Sequence, residues 1–186
     1  MKTLYCVPFG VVNEEVILAI EEILTDTFNL NTRRMETYEL PSDAFDRQRQ
    51  QYNSEKFLRI LHKTHPADGV RLLGITAVDL FIPMLSFVFG QAQLNGSVAV
   101  VSSARLKQEF YELPDDNFLT IQRTVKEAVH EIGHTFGLTH CLDKRCPMSL
   151  STTVTSIDTK GTRLCGSCRI ALHVYQSTSI IAKGRS

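Results

Sequence analysis

The sequence predicts an α+β fold, in which a twisted mixed β-sheet packs against helices in a single domain of 186 residues. The chain opens in the order strand, helix, strand, and residues 70–80 then form an aliphatic run that is typical of a strand buried on both faces. This order favours a mixed sheet with right-handed crossovers. A long amphipathic segment that begins after residue 117 predicts a central helix packed on this sheet.

Cap and turn residues place the first elements. Residues 2–7 form a short apolar run that ends at Pro8 and predicts the first strand, in which Cys6 is expected to be buried. Asn13 caps the next helix, and Glu14 and Glu15 favour its first turn. Its apolar residues recur at three- and four-residue steps and predict one buried stripe: Val16, Ile17, Ile20, Ile23, Leu24, Thr27 and Phe28. Residues 32–40, of mixed polarity, predict a second strand.

Residues 42–65 are charged and rich in glutamine, and their apolar residues are spaced too unevenly for one helix. We therefore expect two short helices that meet near residues 53–54. His62 and His65 lie three residues apart, but a proline follows at once and no carboxylate cluster is near. They are expected to be solvated residues at the end of a helix.

The middle of the chain predicts a strand pair. Residues 86–93 and 97–102 read as two strands, because the Asn95-Gly96 pair between them favours a turn. Residues 105–111 predict a short helix or a loop. Asp79, at the end of the preceding aliphatic run, is expected to make hydrogen bonds in a turn.

The central helix has two functional faces. Residues 115–117 supply its caps, and its core stripe consists of Ile121, Val125, Ala128, Val129, Ile132 and Phe136. Arg123, Glu127, His130 and His134 lie on another face, which we expect to look into a cleft. Glu127 either orients one of the histidines or forms an exposed pair with Arg123.

This helix carries the motif H-E-x-x-H-x-x-G-x-x-H, formed by His130, Glu131, His134, Gly137 and His140. His130 and His134 lie one turn apart on one helix face, so both imidazoles can reach one ion. On a continued helix His140 would point ~240° round and ~9 Å further along, too far for a ligand bond of ~2.0 to 2.1 Å. The helix must therefore end, and Gly137 suits the left-handed turn that brings His140 back.

These residue types indicate a catalytic zinc site. Three neutral imidazoles leave one coordination position open, and zinc in such a site lowers the pKa of its bound water towards ~7. Glu131 is offset by ~100° from the ligands and is the candidate general base for that water. A helix with two incidental histidines and a glycine cap is the alternative, which the complete motif makes much weaker.

Four of the five cysteines indicate a second metal. Cys141 and Cys146 form one close pair and Cys165 and Cys168 another, and four thiolates suit a closed tetrahedral structural zinc. Free thiols are the alternative. Because His140 and Cys141 are adjacent, we expect the cysteine site to fix the position of the third histidine.

The histidine motif with Met148 downstream resembles the metzincin metallopeptidases. Within this class, the sequence resembles the archaemetzincins, because it has Cys141, a four-residue gap to Cys146, and Cys165-x-x-Cys168. The signature covers residues 130–168, while residues 1–129 support it only through their order of elements. The gap between Met148 and Cys165 differs from the usual one by about one residue, which a loop would absorb.

The resemblance implies a metzincin-like zincin fold and peptide-bond hydrolysis with two zinc ions. It makes Met148 the Met-turn, an apolar floor beneath the catalytic metal. An upper subdomain of residues 1–137 and a lower one of residues 138–186 would enclose the cleft. Residues 86–93 would be the edge strand that receives an extended peptide, and an ordinary hairpin without a partner is the alternative.

The end of the chain is predicted to form a polar loop followed by a helix. Residues 149–162 are rich in serine and threonine and are expected to be loop rather than core, and residues 165–175 have helical spacing. His173 is expected on the surface of that helix. From residue 177 onward the chain is expected to be partly disordered.

Composition excludes some partners. The 20 basic and 20 acidic residues give zero formal charge, which argues against nucleic acid or an anionic membrane as the main partner. Pro8 and Gly10 interrupt any signal-peptide pattern, and no apolar run approaches a membrane span of ~20 residues. Paired cysteines suit metal ligation in a reducing compartment. We therefore expect a cytoplasmic monomer that acts on peptides, or, alternatively, a catalytically weak zinc protein that binds peptides or has a regulatory role.

Overall fold

The computed structural model describes residues 2–183, with side chains described up to residue 178. Its strands are β1 (Thr3–Phe9), β2 (Asn31–Arg34), β3 (Phe45–Asp46), β4 (Gln51–Asn53), β5 (Gly69–Thr76), β6 (Leu80–Phe81), β7 (Gly90–Ala92) and β8 (Val98–Ser102). Its helices are α1 (Glu14–Phe28), α2 (Ser54–Lys63), α3 (Asn117–Thr135), α4 (Val154–Asp158) and α5 (Gly166–Lys183).

A five-stranded mixed sheet forms the centre, in the order β2-β1-β5-β8-β7. The first four of these strands pair in parallel, and β7 joins β8 antiparallel at the edge. A small second sheet has the order β3-β4-β6. The predicted α+β fold with a mixed sheet is confirmed.

Alternating residues of the central strands enter two different cores, as the two-residue period of a strand requires. On one face, Leu4, Cys6, Leu73 and Ile75 pack with α1, α3 and the start of α5. On the other face, Val7, Phe9, Leu72 and Val100 pack with Phe57 and Leu61 of α2. The sheet therefore supports α3 from below along its apolar stripe and leaves another face of α3 for the cleft.

The first helix begins where its sequence predicts. Asn13 Oδ1 accepts a hydrogen bond of 2.9 Å from the backbone N–H of Glu15, which satisfies one of the free donors of the first turn. Asn29 ends the helix in the left-handed region, with φ of 51°. The buried side of α1 consists of Val16, Ile17, Ile20, Leu24 and Phe28.

Two predicted strands are too long. The strand expected over residues 32–40 ends at Arg34, whose guanidinium pairs with Glu14 and Glu21 of α1, and Tyr38 makes only an isolated bridge to Phe9. The run over residues 70–80 divides into β5 and β6. Asp79 lies in the turn between them and accepts hydrogen bonds from Gln51 and Arg105, as predicted.

The prediction of two helices over residues 42–65 is half wrong. A 3-10 turn over Ser42–Ala44 and the β3–β4 hairpin replace the first helix. Asp46 Oδ1 accepts the backbone N–H groups of Gln48 and Arg49, and Gln50 has a positive φ of 55°, so local turn chemistry overrides the helical composition. The second helix, α2, begins after Asn53 as predicted.

The later segments show further differences. The strand expected over residues 86–93 is regular only in β7, and residues 105–111 form two 3-10 turns. The polar segment over residues 149–162 contains α4, and its Ile157 is completely buried. Helix α5 extends past residue 177 to Lys183, where the sequence predicts partial disorder; the residues after Lys183 lie outside the described part of the chain. Within that part, no helix has the length and apolar character of a membrane span.

Candidate active site

Helix α3 is fixed at both ends. Asp116 Oδ1 accepts the backbone N–H of Leu119 at 2.9 Å and caps the start. After Thr135 the chain turns at Gly137, whose φ is +78° and whose N–H donates to His134 O at 2.9 Å. A Cβ at Gly137 would lie 2.3 Å from Asn95 Oδ1, so both the backbone conformation and the limited space at this turn require glycine.

The turn brings the three histidines together. One ring nitrogen from each of His130, His134 and His140 belongs to a set in which all ligand atoms lie within 4.8 Å of one another. The Nε2 atoms of His130 and His134 are 3.0 Å apart. Ligands bound at ~2.0 to 2.1 Å on a tetrahedral zinc are roughly 3.3 Å apart, so this spacing fits one zinc ion.

Backbone carbonyls set the tautomers of two rings. His130 Nδ1 lies 2.8 Å from Pro147 O, and His134 Nδ1 lies 2.7 Å from Leu138 O. A carbonyl oxygen only accepts, so each Nδ1 must carry the proton and each neutral ring keeps the lone pair of Nε2 for a metal. Burial lowers the pKa of His130 well below its usual value and lowers the pKa values of His134 and His140. Neutral imidazoles are the form that binds zinc.

Glu131 lies beside this set and is 5% exposed. Burial raises the pKa of its carboxyl group well above the usual range, and nearby Glu127 raises it further; an adjacent metal cation would oppose both effects. Gly90 of the edge strand lies directly over Glu131, because a Cβ at Gly90 would come within 2.7 Å of Glu131 Cγ. The backbone of β7 and the Glu131 carboxylate therefore face the same cleft.

Met148 packs against α3 from the other side. It is completely buried, and a Cβ at Gly133 would lie 2.4 Å from its Sδ atom. Pro147 supplies the carbonyl that holds His130, and the backbone N–H of Cys141 donates to Met148 O at 2.9 Å. The segment after His140 thus returns beneath the histidines.

The four paired cysteines also converge. Their sulfur atoms lie within 4.8 Å of one another, and Cys141 Sγ is 3.7 Å from Cys165 Sγ. That separation is far from the ~2.05 Å of a disulfide and close to the roughly 3.8 Å between two thiolates on a tetrahedral zinc. The backbone N–H of Cys168 lowers the pKa of Cys165, whereas burial raises the pKa values of Cys146 and Cys168; a metal cation bound among the four sulfur atoms would oppose that rise. Cys6, the fifth cysteine, is buried in β1 as predicted.

Comparison with known proteins decides the family: the model of peptidase family M54 matches residues 10–174. The chain belongs to this family. An archaemetzincin of Methanocaldococcus jannaschii is 38% identical over 161 residues, which are 87% of this chain and 87% of the relative. The crystal structure of an archaemetzincin from Methanopyrus kandleri matches with a TM-score of 0.83 and 34% identity, over 95% of this chain and 96% of that one. A zinc-dependent peptidase from Methanocorpusculum labreanum matches with a TM-score of 0.79 and 31% identity, over 91% and 99%.

The archaemetzincin resemblance of the sequence is thereby confirmed, and the chain is a zinc metallopeptidase that acts on peptides or proteins. In this M54 chain the histidines open into a cleft of about 470 Å³. Its walls contain residues from the β7 edge, from α3 and from the segment after Met148: Leu85, Ser86, Phe87, Val88, Phe89, Gly90, Ala92, Glu127, His130, Glu131, His134, His140, Leu150, Ser151 and Thr152.

Both interpretations of Glu127 from the sequence are wrong. Its side chain is 4% exposed, and Oε1 accepts a hydrogen bond of 2.9 Å from Nζ of Lys160, whose side chain is completely buried. Arg123 instead forms a bidentate pair with Asp158, with both distances 2.7 Å. Burial raises the pKa of Glu127, and Lys160 opposes that shift.

Sequence reasoning missed Lys160. It lies in a segment that the composition assigned to a polar loop, 33 positions from its partner. The neighbouring α4 packs on α3 through Arg123–Asp158 and through Nζ of Lys126, which donates to Ile157 O at 3.2 Å. The only sequence signal for its burial is a lysine three residues after the apolar Ile157 in an otherwise polar run. That signal does not identify a partner for the lysine.

Proposed function

We propose that this chain hydrolyses peptide bonds with one zinc ion held by His130, His134 and His140 and with Glu131 as general base. The observation that carries the proposal is the convergence of the three rings beside a buried carboxylate. In His130 and His134 the Nδ1 atom is hydrogen-bonded to a backbone carbonyl, which leaves Nε2 to bind a metal. When bound, zinc supplies a Lewis acid that polarises a carbonyl group and acidifies a water molecule.

The chain's own residues supply the remaining chemistry. Glu131 accepts the proton of the attacking water and passes it to the leaving amine, since it is the carboxylate next to the metal ligands. Gly137 ends the helix so that His140 can join the site. Met148 is the Met-turn and forms an apolar floor beneath the catalytic metal. Burial of Glu131 and His130 excludes bulk water from the reacting groups and strengthens their electrostatic effect.

The edge of the sheet is our candidate for substrate alignment. An extended peptide would pair with the backbone of residues 86–93, of which Gly90–Ala92 are already a regular edge strand.

We propose that residues 1–137 act as the upper part and residues 138–186 as the lower part of one metallopeptidase domain. The zero net charge and the metal-suited thiols support a cytoplasmic location without nucleic-acid or membrane partners, and we propose that the chain acts as a monomer.

We further propose that Cys141, Cys146, Cys165 and Cys168 hold a second, structural zinc. Four ligands leave that ion no open position, so its contribution is to stability. It would join the segment that follows His140 to the start of α5, and the backbone bond from Cys141 to Met148 O connects it to the floor of the catalytic site.

The test is a digest of a diverse peptide library by the wild type and by Glu131→Gln, with products read by mass spectrometry and zinc measured by atomic absorption. We expect two zinc ions per chain in both proteins, cleavage by the wild type that a chelator abolishes, and loss of most turnover in Glu131→Gln. Equal cleavage by both proteins would exclude Glu131 as base. A zinc-loaded wild type that binds peptides without cutting them would instead favour a peptide-binding role.

A further inference from the structure

One part of the cleft combines apolar walls with a polar base. Glu127 lies one turn before Glu131 on α3 and lines the cleft, and Ser151 from the segment after Met148 lines it as well. Phe87, Val88, Phe89 and Leu150 line the same cleft. The cleft therefore offers both apolar surface and polar groups to a substrate side chain.

The Glu127–Lys160 pair determines the charge of this base. Both side chains are buried, and Nζ and Oε1 are 2.9 Å apart. Because the two charges compensate each other, an incoming cation or anion would lose its own hydration without finding an unpaired opposite charge. A neutral group would not suffer this loss, and the carboxylate has lone pairs beyond the one that Lys160 uses.

Ser151 provides a second polar group. Its Oγ atom is buried and has no hydrogen-bond partner among the described residues. A buried hydroxyl normally has a partner, and a site built around such a group discriminates against a ligand that cannot supply one. Because Ser151 lines the cleft, a substrate side chain is the candidate for that partner.

We propose that Glu127, whose charge is compensated by Lys160, and Ser151 form the base of a side-chain pocket that selects a substrate residue with an apolar stem and an uncharged hydrogen-bonding end, of the glutamine or tyrosine type. The selected residue lies beside the bond that is cut. This inference rests on the proposed peptidase function, and it concerns which peptides the cleft accepts.

The test uses short blocked peptides that differ only at one position beside the cleaved bond, which the library digest locates. Glutamine, tyrosine, leucine, lysine and glutamate are compared by kcat/KM. We expect the wild type to prefer glutamine or tyrosine over leucine by about tenfold, and over lysine and glutamate by more. Ser151→Ala should reduce that preference several-fold, and the double variant Glu127→Leu, Lys160→Met should shift it to leucine.

The matched control is Asp158→Asn. It weakens the neighbouring pair with Arg123, which also joins α4 to α3, but neither residue lines the cleft. Its kcat/KM ratios should equal those of the wild type. An unchanged ratio in the double variant, the same shift in the control, or a wild-type preference for lysine or glutamate would overturn the pocket.

Binding separates this proposal from the peptidase mechanism. Dissociation constants of the same labelled peptides for zinc-loaded Glu131→Gln, measured by fluorescence anisotropy, report on the pocket without turnover. Equal affinity for the glutamine, tyrosine and leucine peptides would reject the pocket even if the wild type is an active peptidase. A preserved preference in binding with no cleavage by the wild type would reject the mechanism and keep the pocket.

Discussion

Replacing Lys160 by methionine should be among the most destabilising single changes in this chain. The lysine side chain is 0% exposed and its partner Glu127 is 4% exposed, so the substitution leaves a buried carboxylate without its counter-charge. Removal of one partner from a buried ion pair costs about 3–5 kcal/mol. At about 2–4 °C per kcal/mol for a domain of this size, the melting temperature should fall by roughly 6–20 °C.

The double variant Glu127→Leu, Lys160→Met should be much more stable than Lys160→Met alone. It replaces both charges by apolar side chains of similar volume, a change that is often neutral or stabilising, so we expect it within about 1 kcal/mol of the wild type. Chemical denaturation in zinc-saturated buffer measures each free energy of unfolding and hence the coupling between the two residues. Lys63→Met on the exposed end of α2 is the control and should change stability by less than about 0.5 kcal/mol. A loss below about 1 kcal/mol for Lys160→Met would refute the reasoning.

Three further changes test the turn, the floor and the second metal. Gly137→Ala forces a side chain into a backbone with φ of +78°, and it should cost about 1–3 kcal/mol in denaturation and reduce zinc retention during dialysis. Gly133→Ala places a Cβ 2.4 Å from the sulfur of Met148, and the resulting overpacking should cost about 1–3 kcal/mol; a thermal melt equal to that of the wild type would contradict the contact. The variant Cys165→Ser, Cys168→Ser should bind one zinc ion fewer and cleave peptides more slowly. Full activity with the remaining zinc would reject coupling between the two metal sites.

The sequence predicts the convergence of the histidines and of the cysteines better than it predicts the elements around them. The histidine and cysteine spacings act over less than 40 residues, and each is anchored to a helix end or a tight turn, so their convergence follows from local geometry. The hairpin over residues 45–53 was missed because its turn depends on one aspartate that accepts two backbone N–H groups. Helix α4 and Lys160 were missed because their burial depends on contacts with Arg123 and Glu127, which no local pattern encodes.

The carbonyl groups of Leu138 and Pro147 hold the Nδ1 atoms of two histidines that are themselves on a regular helix. Both carbonyls belong to the stretch of chain that leaves this helix and runs back under it. The orientation of the His130 and His134 rings therefore depends on a segment of chain that lies outside the helix. Deleting or inserting one residue between positions 138 and 147 would leave the helix intact and yet displace the carbonyl that holds His130. Apart from the proposed ligands His140, Cys141 and Cys146, this stretch should therefore tolerate substitution far better than a change in length.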